Sequence, residues 1–221
     1  MPRSITLLAV ALLGGAFYLY ATASDDLWLA LASKPVPALA LILWLSSAPA
    51  TPYRRRIMIG LGLSLIGDIA LAWPGDQFVV GLAAFLCAHL AYLWAYLGRT
   101  RETAPGALLL AITCGAGLFA LLAWNGLDEL LVPVALYALA ITTMLWRALA
   151  CGGLAAFGAA SFVLSDSLIG IDRFVSPFAA APYLIILLYW LGQWAIAGSV
   201  LAGRLSAEAL TQRAASAGKS V

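Results

Sequence analysis

The feature that most constrains this chain is a succession of apolar runs, most of them close to 20 residues, with little between them but charged residues, Pro and Gly. A run of about 20 apolar residues is what an α-helix needs to cross a bilayer core about 30 Å thick. The runs read as helices at 5–23, 36–47, 57–73, 78–97, 107–124, 130–149, 154–171 and 178–201. The second is short for a crossing unless it starts nearer Leu27 and bends at Pro35 and Pro37, which cannot donate to a helical ladder. Only 10% of the 221 residues are charged, against roughly 25% in a soluble domain, so most of the surface must face lipid. The expected fold is an all-α integral membrane protein. A single bundle of about eight transmembrane helices spans 1–205, and a polar, flexible Ala/Ser-rich tail follows over 206–221.

Loop charges orient this map. With the N-terminus inside, one side receives Arg3, Arg54, Arg55, Arg56, Arg99, Arg101, Arg147, Arg204, Arg213 and Lys219, and the other only Lys34 and Arg173. That is a strong positive-inside bias. The far side collects Asp25, Asp26, Asp76, Asp128, Glu129 and Asp172. An even number of spans, with both termini and the tail cytoplasmic, follows. Arg3, the first apolar run and Ala21-Thr22-Ala23 also resemble a secretory signal with a cleavage site. The run is long for a signal, and Tyr18 and Tyr20 suit an interfacial aromatic belt. Cleavage would leave seven spans and move no loop to the other side.

Several classes of function are excluded. A net charge of +2 without a basic stripe or a Gly-rich phosphate loop gives no nucleic-acid partner. Cys87, Cys114 and Cys151 lie in or beside apolar runs without CxxC spacing and read as small core residues. One histidine and no HExxH cannot build a three-histidine zinc centre, so no metal or other cofactor is expected. No GxSxG elbow is present for serine hydrolysis.

The informative residues are polar ones inside the runs. Asp68 falls in the third, His89 in the fourth, Asp166 in the seventh, and Tyr189 with Gln193 in the eighth. Ionisable groups at membrane depth are costly and usually face a bundle interior or a wet cavity. At about 1.5 Å per residue, Asp68 lies roughly 17 Å up from the cytoplasmic side, Asp166 roughly 18–20 Å and His89 roughly 13–14 Å, so one pocket could hold all three. Ser64 is one turn before Asp68 on the same face. Phe85, His89, Tyr92 and Tyr96 form a helical stripe that Gly81 extends. Gly67 and Ser165, each just before an aspartate, permit close helix approach. Each has a bland counterpart: the tyrosine stripe as packing, His89 and Gln193 as interhelical glue, Lys34 as a snorkelling anchor, Arg54-Arg55-Arg56 as a topology signal. Paired buried carboxylates are the hardest to dismiss. In hydrocarbon, one of two neighbouring carboxyl groups can keep its proton near neutral pH while the other is ionised, an acid and a base for catalysis. Intramembrane Asp and His also serve proton-coupled transporters, and a non-catalytic lipid-binding protein is a third reading. Asp68 and Asp166 also end similar triplets, Ile66-Gly67-Asp68 and Leu164-Ser165-Asp166, each in the third helix of a four-span half, a pattern compatible with an internal repeat.

The stretch Ser64-Leu65-Ile66-Gly67-Asp68-Ile69-Ala70-Leu71, followed by Phe78, Gly81, Phe85, His89 and Tyr92, resembles the signature of the YhhN family of multi-span lysoplasmalogenases and their bacterial relatives. Lys34-Pro35, Ser165-Asp166, and Tyr189 with Gln193 extend the resemblance, in order, over nearly the whole chain. It implies hydrolysis of the vinyl ether bond of a lysoplasmalogen in a bacterial inner membrane, giving a fatty aldehyde and a glycerophospho-base. Protonation of the β-carbon forms an oxocarbenium ion that water captures, and paired carboxylates suit that chemistry as they suit glycoside hydrolysis. The implied catalytic residues are Asp68, Asp166 and His89. Tyr92, Tyr189, Gln193, Ser64, Ser165 and Lys34 would position water and the lysophospholipid substrate. Lys34 or Arg173 would meet the phosphate if the site opens outward.

Overall fold

The computed structural model describes residues 2–217, with side chains over 3–202. Among these, nine α-helices and one 3-10 turn occur, and no strand: α1 (Pro2–Ala23), α2 (Leu27–Ser33), α3 (Val36–Ser46), α4 (Pro52–Ala72), α5 (Phe78–Leu97), α6 (Pro105–Trp124), the turn at Asp128–Leu130, α7 (Leu131–Cys151), α8 (Gly153–Phe174) and α9 (Ala181–Ala217). Among the described residues, seven helical segments are long and apolar enough to cross a membrane, with α2 and α3 acting together as one of them. The protein is a multi-pass membrane protein. The 21-residue α4 is not among the seven, because it opens on Arg54-Arg55-Arg56 and carries Asp68. α9 runs on past 201 into the stretch expected to be a tail. The side chains of that stretch, and residues 218–221, lie outside the described residues.

The second run does begin at Leu27 and breaks at Lys34-Pro35. Pro35 and Pro37 lack the N–H groups that would continue the ladder. The break carries Lys34 to the bundle interior, where it is only 9% exposed. α4 starts more conventionally, with the Thr51 hydroxyl accepting the Arg54 N–H at 3.1 Å and Pro52 in the first turn.

Two helical hairpins, α4–α5 and α8–α9, are the most extensively packed pairs in the bundle, and both use small residues. A methyl group at Gly158 would stand 2.7 Å from the Ile196 backbone nitrogen and 2.8 Å from the Gly192 carbonyl oxygen. Backbone cannot rotate away as a side chain can, so Gly158→Ala forces α8 and α9 apart. A cost of about 1–3 kcal/mol is expected, read as a fall in Tm of about 2–4 °C per kcal/mol for a chain of this size in detergent-solubilised protein. An unchanged Tm would show the hairpin to be looser than described.

The surface is apolar almost throughout, with Leu109, Leu110, Ile112 and Trp124 of α6 among its exposed side chains. α6 packs on α7 and touches α8, which leaves space under it beside α5. At the basic end, arginines tie loops as well as marking a side. Arg147 is buried and donates to the Glu102 and Thr100 carbonyls. Arg99 donates to the Ser199 carbonyl at 2.9 Å and lies over the Tyr53 ring.

Candidate active site

Asp166 and His89, which their depths allow to share a pocket, are in contact. His89 Nε2 lies 3.1 Å from Asp166 Oδ2 and 2.8 Å from the hydroxyl of Tyr137, and that hydroxyl donates to the same carboxylate oxygen. The result is a triad from three helices, α5, α7 and α8. Tyr137 was not singled out by sequence reasoning. A usable signal existed: it sits six residues from the start of α7 and Asp166 eight from the end of α8, so both lie about 9–12 Å from the same end of the bundle.

Asp68 belongs to a second group. Tyr189 donates to its Oδ2 at 2.6 Å, and Lys34 Nζ stands 3.9 Å from its Oδ1. Lys34, read as a snorkelling anchor or phosphate contact, is instead an internal counter-charge. Tyr92, Gln193 and Ser64 form a third group. The Tyr92 hydroxyl donates to Gln193 Oε1 at 2.7 Å, and Ser64 Oγ is 3.4 Å from it. Ser165 donates to the Ile185 carbonyl at 2.8 Å, so it fastens α8 to α9 beside Asp166.

One aromatic cluster joins the three groups. The Phe162 ring lies 4.8 Å from His89, 5.3 Å from Tyr189 and 6.3 Å from Tyr92, between centroids, and Phe85 packs on both Phe162 and Tyr189. Aromatic rings pack between the groups that hold the two carboxylates. Of the three residues that one pocket could hold by depth, Asp166 and His89 are in contact, while Asp68 sits behind this partition. The partnering is reciprocal between the two halves of the chain. Asp68 on α4 is held from α9, and Asp166 on α8 is held from α5. Each also takes a partner from the preceding crossing of its own half, Lys34 and Tyr137.

Asp166 and Tyr137 line a cavity of about 120 Å³ between α5, α6, α7 and α8, many times the roughly 10–15 Å³ that holds one water. Its other walls are almost wholly apolar, among them Phe78, Phe85, Ala111, Leu122, Leu145 and Val163. Two buried atoms at the edges of the network, His89 Nδ1 and Gln193 Nε2, have no hydrogen-bond partner among the described residues.

Fold and site together define a multi-pass membrane protein with a carboxylate–histidine–tyrosine centre beside an apolar cavity. The chain belongs to the YhhN family, whose profile matches residues 29–200. It is similar to the lysoplasmalogenase TMEM86B of Sus scrofa, 37% identical over 185 residues that cover 83% of this chain and 80% of the pig protein. It is also similar to lysoplasmalogenase TMEM86B of Homo sapiens, 38% identical over 79% of this chain and 76% of the human protein. The lysoplasmalogenase of Mycobacterium bovis is 38% identical over 55% of this chain and 51% of its own length. No solved structure matches the chain.

Proposed function

We propose that this protein hydrolyses the vinyl ether bond of a lysoplasmalogen, with Asp166, His89 and Tyr137 as the reacting centre. One observation carries the reading: a carboxyl group bonded to both a histidine and a tyrosine also lines an apolar cavity, so a proton donor faces a space suited to hydrocarbon. The relatives named lysoplasmalogenases support it, since their matches extend over most of the chain.

In this reading the Asp166 carboxyl gives its proton to the β-carbon of the vinyl ether, and the positive charge develops on the α-carbon and ether oxygen. The resulting carboxylate is held by Tyr137 and His89 and faces the cation. It then takes a proton from the water that adds to the α-carbon. The hemiacetal collapses as its hydroxyl loses a proton and the bond to the glycerol oxygen breaks, releasing aldehyde and a protonated glycerol oxygen. Asp68, fixed by Tyr189 and Lys34, supplies negative charge from behind the aromatic partition, and Tyr92, Gln193 and Ser64 keep Phe162 and the helices around it in place. With α4 as the eighth crossing, both termini face the cytoplasm of a bacterial inner membrane, and Asp166 lies nearer the far side.

The test is release of fatty aldehyde by purified protein from a lysoplasmalogen but not from the matching alkyl ether. Absence of aldehyde, with solute uptake into proteoliposomes driven by a pH gradient, would favour a transporter instead. Tyr137→Phe removes the hydroxyl that donates to the carboxylate. It is expected to lower kcat by about 10–100-fold, toward the lower end of the contributions made by positioned acid–base groups, with Tm little changed. Full activity in that variant would remove Tyr137 from the centre.

A further inference from the structure

Arg173 shares a face of α8 with Asp166, seven residues on and therefore about 10 Å along the helix axis. Between them, Gly170 lines the cavity and offers no side chain to block the way. The Arg173 guanidinium lies 3.9 Å from the centroid of the Phe78 ring, itself a cavity wall, so the cation stands at the rim of that space. Its anionic partner is Asp76, through a single contact of 2.7 Å from Nη2 to Oδ2. Both side chains are open to solvent, 36% and 68% exposed. An exposed pair of this kind contributes little, and a phosphate offers the planar guanidinium two oxygens in place of one. The other cation assigned to this end of the bundle, Lys34, is buried against Asp68.

We propose that Arg173 binds the phosphate of a lysophospholipid whose vinyl ether lies at Asp166, releasing Asp76 as it does so. The proposal rests on the hydrolase reading for where the reacting carbon sits. In a lysoplasmalogen seven bonds separate the β-carbon from phosphorus, about 9 Å when extended with bonds near 1.5 Å, which matches the rise from Asp166 to Arg173. The chain then points away from Arg173, where the cavity continues about 12 Å along α7 from Tyr137 to Leu145.

Binding tests this apart from catalysis. Full-length protein in detergent is titrated, by its tryptophan fluorescence, with an alkyl-ether lysophospholipid, which has no vinyl bond to cleave, and with the same alkylglycerol lacking the phosphate. Wild type should prefer the phosphate-bearing lipid by about 10-fold or more, as expected for charge-assisted bonds. Arg173→Gln should erase that preference without changing affinity for the alkylglycerol, and Arg173→Lys should keep part of it. Asp76→Asn, which removes the competing carboxylate, should tighten the lysophospholipid severalfold, an effect that a structural role for the ion pair does not produce. A wild type with no phosphate preference, or an Arg173→Gln variant that keeps it, overturns the proposal. Displacement of the lipid by millimolar inorganic phosphate would assign the site to the free ion and also overturn it. Aldehyde release is scored separately, so the hydrolase reading can fail or stand on its own result.

Discussion

Asp166→Asn is expected to lower the rate of aldehyde release by about 10³-fold or more, near the upper range for a positioned acid–base group, while the protein stays folded. The side chain keeps its size and can still accept from Tyr137, so the triad survives in outline. What disappears is the proton for the β-carbon and the charge that faces the cation afterwards. The measurement is single-turnover aldehyde formation together with thermal unfolding of the same sample. Activity within a few-fold of wild type would end the assignment of Asp166 as the acid. A collapse of Tm would trace the loss to folding, and Asp166→Glu, which restores an acid on a longer arm, should then recover some turnover.

The second large effect is at Asp68. Asp68→Asn leaves the Lys34 ammonium facing an amide inside the bundle. Removing one partner of a buried ion pair costs about 3–5 kcal/mol, which for a chain of this size is a fall in Tm on the order of 10 °C. Adding Lys34→Met removes the stranded charge, so the double variant should regain most of that stability. Its activity should stay low, because the negative charge behind Phe162 is still missing. Recovery of both stability and activity in the double variant would make the Lys34–Asp68 pair structural only. Recovery of neither would show that the pair does more for the fold than a buried ion pair alone accounts for.

Much of the site was legible because a membrane sharpens the meaning of polarity. Asp68, His89, Asp166 and Gln193 stand out against apolar neighbours, and counting rise per residue placed three of them at similar depth. Tyr137 was harder to see. A tyrosine near a helix end has an ordinary interfacial explanation, and only its match in depth to Asp166, on a helix not yet known to adjoin it, sets it apart. Lys34 misled for a related reason. Its place beside Pro35 marks a chain break but does not say toward which side the break turns.

The apolar runs and their charged borders determined by themselves that this chain lives in a bilayer as a helical bundle, since length, hydropathy and loop charge depend only on local order along the chain. Rotation and adjacency of the helices were decided by tertiary packing. Gly158 against Gly192, and the Phe85–Phe162–Tyr189 cluster, set which faces meet, and so sent His89 and Tyr137 to Asp166 while Tyr189 and Lys34 went to Asp68. The physical reason is that depth is one coordinate and a pocket needs three. Residues at one level can still face different neighbours, and only side-chain packing between helices chooses among them.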